Sequence, residues 1–509
     1  MHTLILDALE ATGARLPDKT AFIDEETSVT FSRLIALSRA VGSALSARVA
    51  PRTVVGFYMD KSCATVAGFL GAVYAGCAYA QLNLRHPAAR VRAILDTLAA
   101  PVVVTDRAHE AQLRAMDVPY DILLIEDLLA APVDEGALAL VRAQMIDTDP
   151  LYVNFTSGST GTPKGVVVGH RSVLDFIRCF TEIFSITEGD VLANQAPFDF
   201  DVSVKDIYSG ILTGATVAIV PTAYFTQPVK LMDFLCDHGA TVMVWAVSAL
   251  CFLTTMNALE YRKPERLRAI LFSGEVMPIK HLNKLRALLP EVCYVNLYGP
   301  TEITCNCTYY IVDRPFAPGE TLPLGVPFPN ERILLLTEDG REARPGETGE
   351  LCVAGTAVAM GYYKDPARTA AAFTQNPLHS DYLDPIYRTG DPVRLTETGE
   401  MVYVSRKDFQ IKHMGHRIEL GEIETALCAV EGVERACCLY LHDKGKILCY
   451  TCGPAQKAQI VESLHETLPA YMIPNLFRTV EAMPLNKNGK IDRNALMALY
   501  ENEKEARHG

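Results

Sequence analysis

Positive charge is what this 509-residue sequence is short of: 47 lysines and arginines stand against 60 aspartates and glutamates, a formal net charge of −13. That deficit argues against a surface built broadly for nucleic acid or anionic lipid, so an anionic ligand has to be met by a few local cations. Long apolar runs are missing too. The longest stretch, near residues 68–80, is rich in glycine and alanine and too short to span a bilayer, so no stable membrane insertion is expected; it predicts a buried helix continuing into a turn. No secretory leader is recognisable in the opening MHTLILDALE, which is acidic by Asp7, and the 14 cysteines are expected as reduced thiols of a cytoplasmic protein. Cys449 and Cys452 form a CxxC and Cys305 and Cys307 a CxC, but neither has a second ligand pair at zinc-site spacing, so both read as packing residues. Internal repeats and low-complexity tracts are absent as well.

What is present is ample apolar content, 49% of the residues, on a chain longer than one hydrophobic core organises. Short apolar strand candidates at residues 53–58, 102–105, 122–125, 216–220, 241–245 and 269–272 alternate with helix-like segments, the pattern of parallel α/β layers. After about Asn330 the pattern turns to strands and turns, at 332–336 and 350–354. Beyond Arg406 it changes again, to a helix at 421–429, strands at 435–441 and 446–452, and a helix at 457–468, with a frayed charged tail at 501–509. The fold class expected is α/β: a large N-terminal body of α/β subdomains plus a small β-rich subdomain over residues 1–405, then a mobile small α+β domain over 406–509.

Directly after an apolar run at 151–155 comes a loop whose only large side chain is a lysine: Thr156, Ser157, Gly158, Ser159, Thr160, Gly161, Thr162, Pro163, Lys164, Gly165. Glycines let a backbone turn closely round a polyanion, hydroxyls and N–H groups donate to phosphate oxygens, and the lysine supplies a point charge. The bland alternative is a Gly/Ser/Thr linker, but Pro-Lys-Gly followed by strand-like Val166, Val167 and Val168 is foreign to linkers. An ordinary P-loop is excluded, because there Gly-Lys is followed by Ser or Thr. If Lys164 meets phosphates, a magnesium-binding acid is needed. Asn296 to Glu302 offers one: a strand candidate followed by a Gly299-Pro300 turn puts Tyr298, Thr301 and Glu302 at a strand's C-terminal mouth, where α/β folds bind ligands. In isolation this could be a surface turn with an incidental acid. Asp391, after Gly390, suits two neighbouring ribose hydroxyls. A charged run from Ser405 to Glu424 joins two composition regimes, and the loop Pro484 to Asp492 presents Lys487 and Lys490; each is otherwise a solvated face.

In order and spacing these segments resemble the motifs of the adenylate-forming superfamily, which contains acyl-CoA synthetases, luciferases and the adenylation domains of nonribosomal peptide synthesis. The resemblance extends from Lys19 to the region of Asn494. It implies ATP and Mg²⁺ as cofactors, with Tyr298 stacking on adenine, Thr301 contacting the α-phosphate, Glu302 holding Mg²⁺ and Asp391 on the ribose. It places Arg406 near ribose and phosphate, and Asp408 at a hinge. It further implies that Lys164 and the loop hydroxyls hold the leaving phosphates, while Lys490 bridges substrate carboxylate and α-phosphate. The family has glycine where this chain has Ser405. Residues 346–363 and 468–474 also match family motifs and read as structural.

Asp201, in Phe198-Asp199-Phe200-Asp201-Val202, matches the aspartate that pairs with the substrate ammonium in amino-acid-activating members. A carboxylate in an apolar pocket needs a cation to offset its burial; the competing role is N-cap of a helix over 202–212. By the same resemblance Val202, Lys205, Val244, Leu271, Ser273, Leu297, Cys305 and Asn306 line the pocket and suit a small amino acid such as alanine, D-alanine or serine. Lys205 either pairs with a substrate acid or extends its stem to put its ammonium in water; Asp206 reads as surface. FDFDVSVKDIY and LFSGEVMPIKHLNKL look most like stand-alone D-alanine:carrier-protein ligases, which differ at Ser273 and Lys205. No carrier domain is recognisable after Leu499, so the expected acceptor is the phosphopantetheine thiol of a separate carrier protein, or CoA, served by a monomeric enzyme. The rivals are an acyl- or aryl-CoA ligase and a catalytically silent adenylate-binding protein.

Overall fold

The computed structural model describes residues 2–157, 163–317, 320–404, 410–485 and 491–505. The chain divides into two compact units. One gathers Met1–Leu84, Leu95–Phe155 and Gly165–Ser405; the other gathers Arg85–Ile94, Thr156–Lys164 and Arg406–Gly509.

The first unit holds two large sheets. In the seven-stranded one the order is Gly361–Tyr362, Lys164–Gly169, Pro150–Thr156, Ala78–Gln81, Val54–Tyr58, Val102–Thr105, Asp121–Leu124. The nine-stranded sheet runs Val326–Pro327, Thr308–Ile311, Cys293–Tyr298, Ala269–Ser273, Val242–Ala246, Val191–Asn194, Thr216–Ile219, Thr20–Ile23, Ser28–Thr30. Val242–Ala246, Ala269–Ser273 and Cys293–Tyr298 pair in parallel. Covered on both faces, such strands have no polar side to alternate with, which is why VMVWA and AILFS read as unbroken apolar runs. Helix Val202–Thr213 is the crossover between the parallel neighbours Val191–Asn194 and Thr216–Ile219. A third, antiparallel sheet of Glu331–Leu336, Thr348–Gly355, Pro385–Leu395, Phe373–Gln375 and Met401–Tyr403 is the small β-rich part.

The second unit opens with the hairpin Gln410–His413/His416–Glu419. Its two-residue turn, Met414 and Gly415, has φ of 53° and 82°, the doubly left-handed geometry that matches strand twist. A three-stranded sheet of Arg435–Leu441, Lys446–Cys452 and Leu476–Thr479 follows, with helices Leu420–Cys428, Lys457–Thr467 and Arg493–Glu505.

The α/β class is as expected, with three local corrections. The run at 68–80 is a buried helix, Cys63–Tyr74, continuing into a turn at 75–76 as expected, but its last residues then enter a strand, Ala78–Gln81, that the sequence reading did not place. The acidic start of the tail is helical: Arg493–Glu505 extends through Glu501, anchored by Tyr500, which packs in the core. Residue 125 begins a helix instead of ending a strand. All 14 cysteines are free thiols, with Cys305, Cys307, Cys449 and Cys452 buried. Among the described residues no helix is long and apolar enough to cross a membrane.

Candidate active site

The strand Cys293–Tyr298 ends at the turn that carries the candidate residues. Its last residue, Tyr298, is buried, and its hydroxyl donates to Asp391 Oδ2 at 2.5 Å. Asp391 sits on the strand Pro385–Leu395, where its N–H donates to Thr389 Oγ1 at 3.0 Å. Two motifs 93 residues apart thereby meet. Burial, then the Asp391 charge, pushes the Tyr298 phenol well above its ordinary range, so the hydroxyl keeps its proton and stays a donor.

Three residues on, a short 3₁₀ turn at Thr301–Ile303 places Glu302, 0% exposed, with Oε1 accepting from the Tyr362 hydroxyl at 2.8 Å. The Ala359 N–H donates to the Glu302 carbonyl at 2.9 Å. Residues 346–363, read from sequence as structural, thus also hold the candidate metal ligand in place. Past the turn the chain folds back: Thr304 and Cys305 have φ of 49° and 80°, and the Cys307 N–H returns to the Tyr298 carbonyl at 2.8 Å. This return is the reason for Gly299. A Cβ there would lie 2.4 Å from Asn306 Cα, 2.7 Å from Cys305 O and 2.9 Å from Cys307 N, all main-chain atoms.

The expected pocket walls follow from sheet register. Val244 pairs with Leu271, and Ala246 with Ser273, so alternate residues of neighbouring strands share one face. Helix Val202–Thr213 packs on the strands Val191–Asn194 and Val242–Ala246. Val202, Val244, Leu271, Ser273, Leu297, Cys305 and Asn306 are all buried. Asp201, 6% exposed, precedes the helix but makes no side-chain cap bond, which removes the N-cap alternative; the Cys305 thiol donates to its carbonyl at 2.9 Å.

Two assignments on this helix are corrected. Lys205 does not reach water: it is 0% exposed, and its Nζ donates to Asn306 Oδ1 at 2.6 Å. Burial lowers its pKa, opposed by Cys305, Asp201 and Asp206. Asp206 is not a surface residue. It is 0% exposed, takes a hydrogen bond from Asn194 Nδ2 at 2.9 Å, and burial pushes its carboxyl up to about 7 against the pull of Asn194, Lys205 and Lys61. Lys61 in turn donates to Asn194 Oδ1 at 3.1 Å and to the Gln195 carbonyl at 2.9 Å. Sequence reasoning missed Lys61, Asn194 and Tyr362; for the first two no spacing signal existed, while Tyr362 lay in a matched motif.

Of the phosphate-loop candidates, Gly158, Ser159, Thr160 and Gly161 lie outside the described residues, as do Ser405, Arg406, Asp408 and Lys490. Thr156 closes the strand Pro150–Thr156, and its hydroxyl is buried without a partner among the described residues. The Ser157 hydroxyl donates to the Arg417 carbonyl. Lys164 starts the strand Lys164–Gly169. Beside it a Cβ on Gly165 would meet Val153 Cγ1 at 2.8 Å. Within the first unit the donors fit a magnesium nucleotide: a buried hard carboxylate in Glu302 and a second carboxylate, Asp391, held by a phenol.

Residues 9–363 match the family described as AMP-binding enzyme, and residues 422–490 match the AMP-binding enzyme C-terminal domain. The chain is similar to tyrocidine synthase 3 of Brevibacillus parabrevis, 32% identical over 505 residues; that covers 97% of the chain but only 8% of that synthase's length. It is also similar to an L-proline--[L-prolyl-carrier protein] ligase of Streptomyces coelicolor, 34% identical over 94% of each protein. Among solved structures it resembles holo-PA1221, an NRPS protein containing adenylation and PCP domains, with a TM-score of 0.85 and 24% identity over 97% of this chain and 84% of that one. At that identity the likeness concerns the fold.

Proposed function

The chain belongs to the AMP-binding enzyme family, a family of ligases that work with ATP and Mg²⁺, and on that premise we propose that it activates an amino acid with a short side chain and passes it to the phosphopantetheine thiol of a carrier protein. The observation that carries the proposal is the Tyr298–Asp391 hydrogen bond beside the buried Glu302: an aromatic ring and two carboxylates gathered at one strand end, fit for adenine, ribose and metal. The amino acid carboxylate attacks the α-phosphorus of ATP, the bond to the β-phosphate breaks, and aminoacyl-AMP and pyrophosphate form. The thiol sulfur then attacks the acyl carbon and AMP leaves.

In this scheme Lys164, Thr156 and the hydroxyls of the loop grip the departing phosphates, and Thr301 contacts the α-phosphate. Glu302, steadied by Tyr362, would hold Mg²⁺, which would supply charge neutralisation to the phosphates. Asp391 takes the ribose hydroxyls, and Asp201 receives the substrate ammonium. Residues 1–405 form the adenylation core and 406–509 the lid, with Asp408 at the pivot and Arg406 and Lys490 closing on the nucleotide. Free thiols throughout fit a cytoplasmic enzyme. The carrier-protein acceptor is supported by the names of two relatives, the proline-carrier ligase and the adenylation–PCP protein.

The test is ATP/pyrophosphate exchange over amino acids of both enantiomers and simple fatty and aryl acids, with wild type and Asp201→Ala. Exchange with amino acids is expected, with a loss of about hundredfold or more in the variant while ATP binding is kept. Exchange with nonaminated acids alone points to an acyl- or aryl-CoA ligase, and exchange with none to a silent nucleotide-binding protein; either sinks the proposal.

A further inference from the structure

We propose that the amino acid activated at this site carries an acidic side chain, an aspartate- or glutamate-like substrate whose second carboxylate binds Lys205; this rests on the amino acid reading above. The starting point is an ammonium group that the protein buries completely and brings into no ion pair among the described residues, although Cys305, Asp201 and Asp206 act on it electrostatically. Lys205 Nζ has three donors and a single hydrogen-bond acceptor, Asn306 Oδ1 at 2.6 Å, and among the described residues it forms no ion pair.

Asn306 is itself 1% exposed, so its choice is informative. An aspartate of the same shape would have neutralised the lysine from within. An asparagine aims the ammonium and leaves its charge to be answered by something else. The walls Val202, Val244 and Leu271 are apolar, and the two acids that act on the ammonium, Asp201 and Asp206, do so without an ion pair among the described residues, Asp206 being held up to about 7 by burial and so largely uncharged below that pH. A buried charge without an opposite charge is costly, and a ligand that brings one recovers that cost on binding.

Asp201 and Lys205 stand four residues apart at the start of one helix, which sets their side chains about 6 Å apart on the same face. The return after Gly299 ties both together: the Cys305 thiol donates to the Asp201 carbonyl, and Asn306, next in the chain, holds the lysine. A negative pole and a positive pole a helical turn apart match a molecule whose ammonium and second carboxylate are separated by a few bonds, as they are in aspartate and glutamate. A neutral short side chain would leave the positive pole buried with no ion-pair partner. Burial lowers the lysine's pKa, and a side-chain carboxylate beside it would restore the charged form.

The experiment is ATP/pyrophosphate exchange with L- and D-aspartate and glutamate against asparagine, glutamine, alanine, D-alanine, serine and glycine. At least one acid is expected to exceed its own amide and every neutral amino acid by about tenfold or more in kcat/KM. Lys205→Met is expected to lower kcat/KM for that acid at least about a hundredfold, with binding of a fluorescent ATP analogue retained as evidence of folding. Should that variant fail to fold, Asn306→Asp, which keeps the side-chain shape, is expected to cost the acid at least about tenfold by supplying an internal counter-charge. Preference for a neutral amino acid or an amide, or indifference of the acid to both variants, overturns the inference and leaves amino acid activation standing. Exchange with no amino acid at all overturns both.

Discussion

Replacing Asp206 by asparagine tests the buried polar layer beneath the pocket. In the unfolded chain the carboxyl titrates at an ordinary 3.8; in the folded protein burial holds it at about 7. A carboxyl raised in this way favours the folded state while protonated. Its contribution is fully present below pH 4 and is lost as pH rises through about 7. The span from 3.8 to about 7 is worth about 4 kcal/mol, at about 1.4 kcal/mol per pH decade. An asparagine at this position would be isosteric with no charge to bury, so the stability of the Asp206→Asn variant relative to wild type is expected to climb by up to about 4 kcal/mol between pH 4 and 7 and to level off above that. Urea unfolding followed by circular dichroism at pH 5, 6, 7 and 8 reads the difference directly, since all other titrating groups are common to both proteins. Parallel stability curves for the two proteins across that range would refute the reasoning, because they would mean that Asp206 ionises folded as easily as unfolded.

Two further perturbations address the strand end. Gly299→Ala forces the 305–307 main chain to move, since it lies within 2.9 Å of the added carbon and has no rotamer to yield; a loss of about 3 kcal/mol and a raised KM for the amino acid are expected, and wild-type values of both would contradict the crowding argument. Tyr362→Phe removes the 2.8 Å donor from Glu302. The Mg²⁺ concentration for half-maximal exchange should shift by about fivefold to tenfold, with the KM for the amino acid unchanged; an unmoved Mg²⁺ dependence would reduce Tyr362 to a packing residue.

The sheet core was legible wherever short apolar runs met clear turns: the strands at 102–105, 435–441 and 446–452 fall where the sequence puts them. The helix Val202–Thr213 was located but its environment was misjudged. Ser203, Lys205, Asp206 and Ser209 look like the wet side of an amphipathic helix, yet residues 202–211 are all buried. Their partners, Asn194, Asn306 and Lys61, come from distant segments, and no periodicity along one segment encodes such pairing. Tyr298, Glu302 and Asp391 were readable because motif order carried them; that one donates to another's carboxylate required the fold.

The two sides of the proposed amino acid pocket differ in how freely they can change over evolutionary time. Val244, Leu271 and Ser273 hang from strands whose amides are already committed to one another, so each side chain can be exchanged alone and a new substrate tried without disturbing the scaffold. Cys305 and Asn306 belong to a left-handed corner stacked on Gly299, and any change there must suit the corner, the glycine and the lysine at once. Diversification of substrate should therefore run along the strand face, while the corner with its lysine is inherited or lost as a block.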